Sequence, residues 1–199
     1  GDGIIDTGEE CDDDNLVDED PCANDCKLNL VEGQETPRDM AISAGGFHSC
    51  VILDNAQLRC WGQNTYGQLG VGSNSDYATP TVDIHMGSWR SSWTITTGKY
   101  HTCSILDNGD VLCFGRNNRG QLGVGDTLDR SDSADERGND LTLVHLGEGR
   151  MAVWVAAGSE HTCVLLDDAT VKCWGYNNNG QLGLGHNINM GDDDEEMVA

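Results

Sequence analysis

Three stretches of this chain are near-copies of one another. They read GGFHSCVILDNAQLRCWGQNTYGQLGVG from Gly45, GKYHTCSILDNGDVLCFGRNNRGQLGVG from Gly98 and GSEHTCVLLDDATVKCWGYNNNGQLGLG from Gly158. Self-similarity at a long period marks architectures in which each repeat is one supersecondary unit stacked on its neighbours. His48, His101 and His161 set the spacing at 53 and then 60 residues, the size of a four-stranded propeller blade rather than a helical hairpin. The expected fold is therefore all-β: a partial β-propeller of three four-stranded blades within residues 34–199. The blades fall at about 39–92, 93–152 and 153–199, the last incomplete, after a small acidic cysteine-rich module at 1–33.

Within each repeat, two alternating segments flank a short turn. In the second copy these are His101–Leu106 and Asp110–Phe114 around Asp107-Asn108-Gly109. Asx-Gly turns between apolar runs are strong hairpin signals. A three-residue loop pairs Leu106 with Asp110, and hence Cys103 with Cys113. The same register pairs Cys50 with Cys60 and Cys163 with Cys173. Opposed residues on antiparallel strands have Cβ atoms about 4.5–5.5 Å apart, close to disulfide distance. Buried free thiols would also fit, but one shared register across three hairpins favours three cross-strand disulfides and an oxidising compartment.

After each hairpin runs Trp/Phe-Gly-x-Asn-x-x-Gly-Gln-Leu-Gly-Val/Leu-Gly, at residues 61–72, 114–125 and 174–185. The Asn and Gln amides are suited to satisfying backbone groups where the chain crosses a blade. Trp61, Phe114 and Trp174, with Leu69, Leu122 and Leu182, are expected as wedges between blades.

Charge narrows the function. With 34 acidic against 11 basic residues the formal net charge is −23, so phosphate backbones and anionic headgroups are repelled. Nucleic acid is a poor partner, and no apolar run reaches the roughly 20 residues of a membrane span. Twelve of the acids lie in residues 1–33, beside a single base, Lys27.

The repeats resemble the regulator of chromosome condensation family of β-propellers, in its cysteine-containing exported bacterial variety, from about Asp39 onward. That resemblance implies a ring of seven blades, of which this chain would be a fragment. The family's chromatin-bound member acts on a small GTPase and on nucleosomes, a role that the acidity and the paired cysteines argue against here. Residues 1–26 are similar to a Myxococcus-type cysteine-rich repeat, with Asp14 where that pattern has Gly. The likeness implies disulfides among Cys11, Cys22 and Cys26 and a fourth partner just upstream of Gly1, so the sequence reads as a piece of something longer. Within this module Asp2, Asp6, Asp12, Asp14, Asp18 and Asp20 are candidate ligands for calcium, which prefers 6–8 oxygens. A solvated acidic turn held by disulfides is the competing reading, and the run Asp192–Glu196 reads as a solvated loop.

The histidines two residues before Cys50, Cys103 and Cys163 do not make a zinc site, because cystine sulfur is not a thiolate and each blade stands apart. A structural hydrogen bond is expected instead, and His85 and His145 read as architecture. No nucleophile elbow, zinc-protease motif or phosphate loop occurs. The expected function is a non-catalytic, secreted or cell-surface protein-interaction module, with a protein or further copies of itself as partner. A structural subunit of an extracellular fibre or surface layer is the alternative, and an enzyme ranks third.

Overall fold

The computed structural model describes residues 41–194, 196 and 197. Cys11, Cys22, Cys26 and the six candidate calcium ligands therefore lie outside the described residues.

Among the described residues, ten strands form three antiparallel sheets. The first holds β1 (Ala41–Ala44), β2 (His48–Ile52), β3 (Leu58–Gly62) and β4 (Asp83–Ile84) in sequence order. The second holds β5 (Ser92–Thr97), β6 (His101–Leu106) and β7 (Val111–Gly115). The third holds β8 (Ala152–Ala157), β9 (His161–Leu166) and β10 (Val171–Gly175). No helix among the described residues is long and apolar enough to cross a membrane.

The hairpin register follows the turn chemistry. Leu53 N–H bonds Gln57 O, Leu106 N–H bonds Asp110 O and Leu166 N–H bonds Thr170 O, closing three-residue loops at 2.8–2.9 Å. The last loop residue is left-handed in each: Ala56 at φ 61°, Gly109 at φ 83° and Ala169 at φ 65°. This is the usual three-residue hairpin, a type I turn followed by one left-handed residue. Cys50 then faces Cys60, Cys103 faces Cys113 and Cys163 faces Cys173. All three pairs are disulfide-bonded.

The fourth strand is shorter than a four-stranded blade requires. It has two residues in the first blade, and in the second it shrinks to one bridge, Leu112 to Leu143. Beside that bridge, Val144 N–H reaches Val111 O at 2.9 Å, while Leu141, Val144 and Leu146 are buried. Side-chain burial holds this outer segment, so it does not need a long ladder. The described third sheet has three strands.

Two core layers lie between adjacent sheets. Ile52, Leu58, Leu69, Ile84, Ile95, Leu106, Leu112 and Phe114 pack between the first and second. Ile105, Val111, Leu122, Val155, Val164, Leu166 and Trp174 pack between the second and third. In the second and third blades the wedge aromatic rests on the glycine turn of the blade before it. A Cβ on Gly70 would meet the Phe114 ring at 2.8 Å, and one on Gly123 would meet the Trp174 indole at 2.6 Å. Trp61 departs from the expectation: it is only half-buried, because no described turn precedes it, whereas Phe114 and Trp174 are fully buried.

Candidate protein-interaction face

The repeat histidines tie the blades together. Thr102 Oγ1 donates its one proton to Gln68 O at 2.8 Å. Its oxygen must then accept from His48 Nε2–H, 2.8 Å away. One blade on, Thr162 Oγ1 donates to Gln121 O at 2.9 Å and accepts from His101 Nε2–H at 3.0 Å. Trp174 Nε1–H donates to the same Gln121 carbonyl at 3.0 Å. Nδ1 of His48 and of His101 is left buried with no partner. Protonation there would bury an unpaired charge, so burial lowers His48 from 6.5 to about 4. Burial first, then the neighbouring His48 and His161, lowers His101 to about 3. These imidazoles are neutral structural donors, as the sequence suggested. His85 Nδ1 accepts from Gly87 N–H at 3.2 Å, and His145 Nδ1 lies 3.3 Å from Met197 O.

The amides of the glycine-rich stretch hold its backbone. Asn117 Nδ2 donates to Asp126 O, while its Oδ1 accepts from Leu122 N–H at 2.9 Å. Asn64 and Asn177 accept from Leu69 and Leu182 N–H in the same way. In the acidic run, Glu196 departs from the solvated reading. Its Oε2 folds back onto Gly191 and Asp192 N–H at 2.8 and 3.3 Å, and it is half-buried.

With the repeated residues absorbed in architecture, recognition falls to the positions that differ between copies. At the open end of each hairpin, opposite the turn, the residue before the histidine faces the residue after the strand-ending glycine. Gln63 N–H bonds Phe47 O, Arg116 N–H bonds Tyr100 O and Tyr176 N–H bonds Glu160 O, at 2.8–2.9 Å. Blade stacking merges these pairs into one cluster. Phe47 and Tyr100 stack with centroids 5.4 Å apart and planes at 13°, and Tyr66 meets Tyr100 edge-on at 5.2 Å. The Arg116 guanidinium lies 4.8 Å from the Tyr66 centroid and 5.6 Å from that of Tyr100. Lys99 Nζ sits 5.1 Å from the Tyr100 centroid, and Arg119 covers Tyr176 at 5.4 Å. Phe47 is 54% exposed, and Lys99 and Arg119 are exposed.

The other end of the hairpins is acidic. It carries Asp54, Asp107, Asp167 and Asp168, the last two paired with Arg150 at 3.5 and 3.1 Å. Sequence reasoning missed the aromatic–cationic cluster because, the adjacent Lys99 and Tyr100 aside, its contacting residues are 16 to 57 positions apart and occupy variable positions of the repeat. The available signal was variation: these are among the few outward positions that change within an otherwise constant repeat. Among the described residues no group of three or more His, Cys, Asp or Glu is placed to hold a metal.

Stacked four-stranded-type sheets, wedge aromatics and glycine turns define a repeat β-propeller. The chain belongs to the regulator of chromosome condensation (RCC1) repeat family: one family model matches residues 57–105 and 108–165, and a second matches 41–68, 94–121 and 155–181. It is 33% identical to the human X-linked retinitis pigmentosa GTPase regulator over 143 residues, covering 72% of this chain and 13% of that protein. It is 30% identical to the ultraviolet-B receptor UVR8 of Arabidopsis thaliana over 160 residues, covering 80% of this chain and 34% of that one. The chain thus spans between about an eighth and about a third of the length of these curated relatives. Among solved structures, human WBSCR16 matches with a TM-score of 0.66 at 22% identity, covering 79% of this chain and 41% of that one. Prp20p of Saccharomyces cerevisiae matches at 0.63 and 20% identity, covering 79% and 38%. At these identities the structural likeness speaks for the fold.

Proposed function

We propose that this chain is a non-catalytic protein-interaction module, secreted or displayed at the cell surface. Its binding site would be the face built by Phe47, Tyr66, Tyr100, Arg116, Arg119 and Tyr176. The observation that carries the reading is this face: aromatic and arginine side chains, the residue types enriched at interface hot spots, on a scaffold whose repeated residues are spent on structure. Use of the fold by a relative supports it, since Prp20p is described with binding to Gsp1p and histones. The partner's identity does not carry over at 20% identity. The disulfides support the compartment, because such bonds persist where thiols are not kept reduced.

The test has two arms. Alkylation of the native protein in its own cells, before lysis, followed by peptide mapping should find Cys50–Cys60, Cys103–Cys113 and Cys163–Cys173 intact. Free thiols at these positions would remove the extracellular assignment. Photo-crosslinking from a probe placed at Phe47 should yield a discrete protein adduct that a probe at Asn55, on the acidic end, does not give. Equal labelling from both positions would remove the face.

A second reading is favoured by one specific feature. The outer side of the third blade exposes Val153, Trp154, Leu165 and Val171, with Trp154 62% and Val171 66% exposed. A further repeat or a second copy laid on that side would make the module part of a larger assembly, as a fibre or surface-layer role requires. Light scattering on the 199-residue chain decides this: strict monomer behaviour at all concentrations counts against self-assembly.

A further inference from the structure

We infer that the aromatic–cationic face recognises an acidic peptide segment of its protein partner. An apolar side chain of that segment would rest on Phe47, and its carboxylates would meet Arg116 and Arg119. This rests on the interaction reading above and adds the chemistry of the partner. The first support is the distribution of charge. In a chain of net charge −23, three of the eleven bases (Lys99, Arg116 and Arg119) gather on one face, and the acidic turns lie at the opposite end.

The second support is how these cations are held. The Arg116 guanidinium sits against both Tyr66 and Tyr100, and that of Arg119 against Tyr176, so ring contacts hold each cation in place at the surface. Holding the guanidinium in place in advance lowers the entropy lost when a carboxylate binds. The carboxylate nearest Arg116 is Glu160, with Nη1 to Oε1 at 3.9 Å, well beyond the roughly 2.7–2.9 Å of a charge-assisted hydrogen bond. The guanidinium is held by the rings and only loosely paired with a carboxylate. Beside it Phe47 exposes more than half its surface and stacks on Tyr100, offering an apolar seat next to the cations.

The third support selects a short acidic segment over an extended polyanion. Screening limits the reach of exposed charges to about 8–10 Å at physiological salt. A few carboxylates seated on the cluster meet three cations, Lys99, Arg116 and Arg119, against the nearby Glu160 and Asp129. A nucleic acid running past the patch meets the repulsion of the whole acidic surface.

Panning a phage-displayed random peptide library against the immobilised 199-residue chain tests this. Recovered peptides should be rich in Asp and Glu around an aromatic or Leu residue. Synthetic copies should bind the Arg116→Ala/Arg119→Ala variant at least about tenfold more weakly. Glu160→Gln, which removes the competing carboxylate, should bind them about two- to fivefold more tightly, a gain that misfolding cannot mimic. Unchanged thermal unfolding of the double variant ties its loss to the site. Failure to recover acidic peptides, or acidic binders indifferent to both variants, overturns the inference. Neutral peptides that lose binding on Phe47→Ala would overturn the acidic partner and leave the interaction face standing. Binders indifferent to Phe47→Ala as well would remove the face itself.

Discussion

The second and third blades carry nearly the same sequence and sit in different surroundings. Every residue of β6 and β7 is buried, whereas β9 alternates between buried and open and β10 is buried only at Trp174 and Gly175. Equivalent residues show the contrast: Val111 is fully buried and Val171 is 66% exposed, while Ile105 is 1% exposed and Leu165 is 37%. The disulfide Cys103–Cys113 is sealed between sheets, and Cys163–Cys173 is half-buried. The repeat therefore encodes a blade with two adhesive sides. Whether a given residue is core depends on whether a neighbour covers it, as expected of arrays stabilised largely by nearest-neighbour interfaces.

The largest expected effect breaks an interface while leaving each hairpin intact. Phe114→Ala empties the slot over Gly70 and should cost about 3–5 kcal/mol in denaturant unfolding. Trp61→Ala, at the half-buried equivalent, should cost about 1 kcal/mol although it deletes a larger ring. Equal costs at the two sites would show that the wedge stabilises its own blade and not the junction.

Acid should act on the same junctions. His48 and His101 have folded-state values lowered to about 4 and about 3, so between those values and 6.5 the unfolded chain binds more protons than the native one. Stability is therefore complete above about pH 6.5 and falls as pH drops through that window. The shift at His48 corresponds to about 3 kcal/mol. His101→Gln should flatten the stability–pH curve between pH 6.5 and 3. His161→Gln should flatten it less, since burial lowers His161 but leaves it partly open. A curve unchanged by His101→Gln would remove the neutral relay.

The hydroxyl in the relay gives a smaller contrast. Thr102→Val leaves both Gln68 O and His48 Nε2 without their buried partner and should cost about 2–3 kcal/mol. Ser49→Ala, at the equivalent half-buried position of the first blade, should change stability by less than about 0.5 kcal/mol. Comparable losses from both would mean that the hydroxyl matters within a blade rather than between blades.

The turns give the smallest. Ala56→Gly and Ala169→Gly relieve a left-handed alanine and should stabilise by up to about 1 kcal/mol. Gly109→Ala should have the opposite sign and a larger size, because its Cβ would also meet Met151 Cβ at 2.6 Å. Thermal unfolding of the three variants side by side reads the difference. A neutral Gly109→Ala would mean that the Met151 segment yields.

Much of the blade was legible before any coordinates. Turn residues at 107–109 set the loop length, loop length sets the register, and register brings Cys103 onto Cys113. All of these steps lie within about ten residues, where backbone geometry leaves few alternatives. The Asn64, Asn117 and Asn177 clasps belong to the same local class. The sequence by itself thus determined the repeat, its hairpins, their disulfides and the family. Only the tertiary structure decided that Trp61 stands half-open while Phe114 and Trp174 are sealed, since that depends on which turn lies alongside. It alone decided that Phe47, Tyr66, Tyr100 and Arg116 form one surface, because residues far apart in the chain meet there only when blades stack. Local patterns report short-range geometry, and a face shared between blades is a product of packing that no single repeat contains.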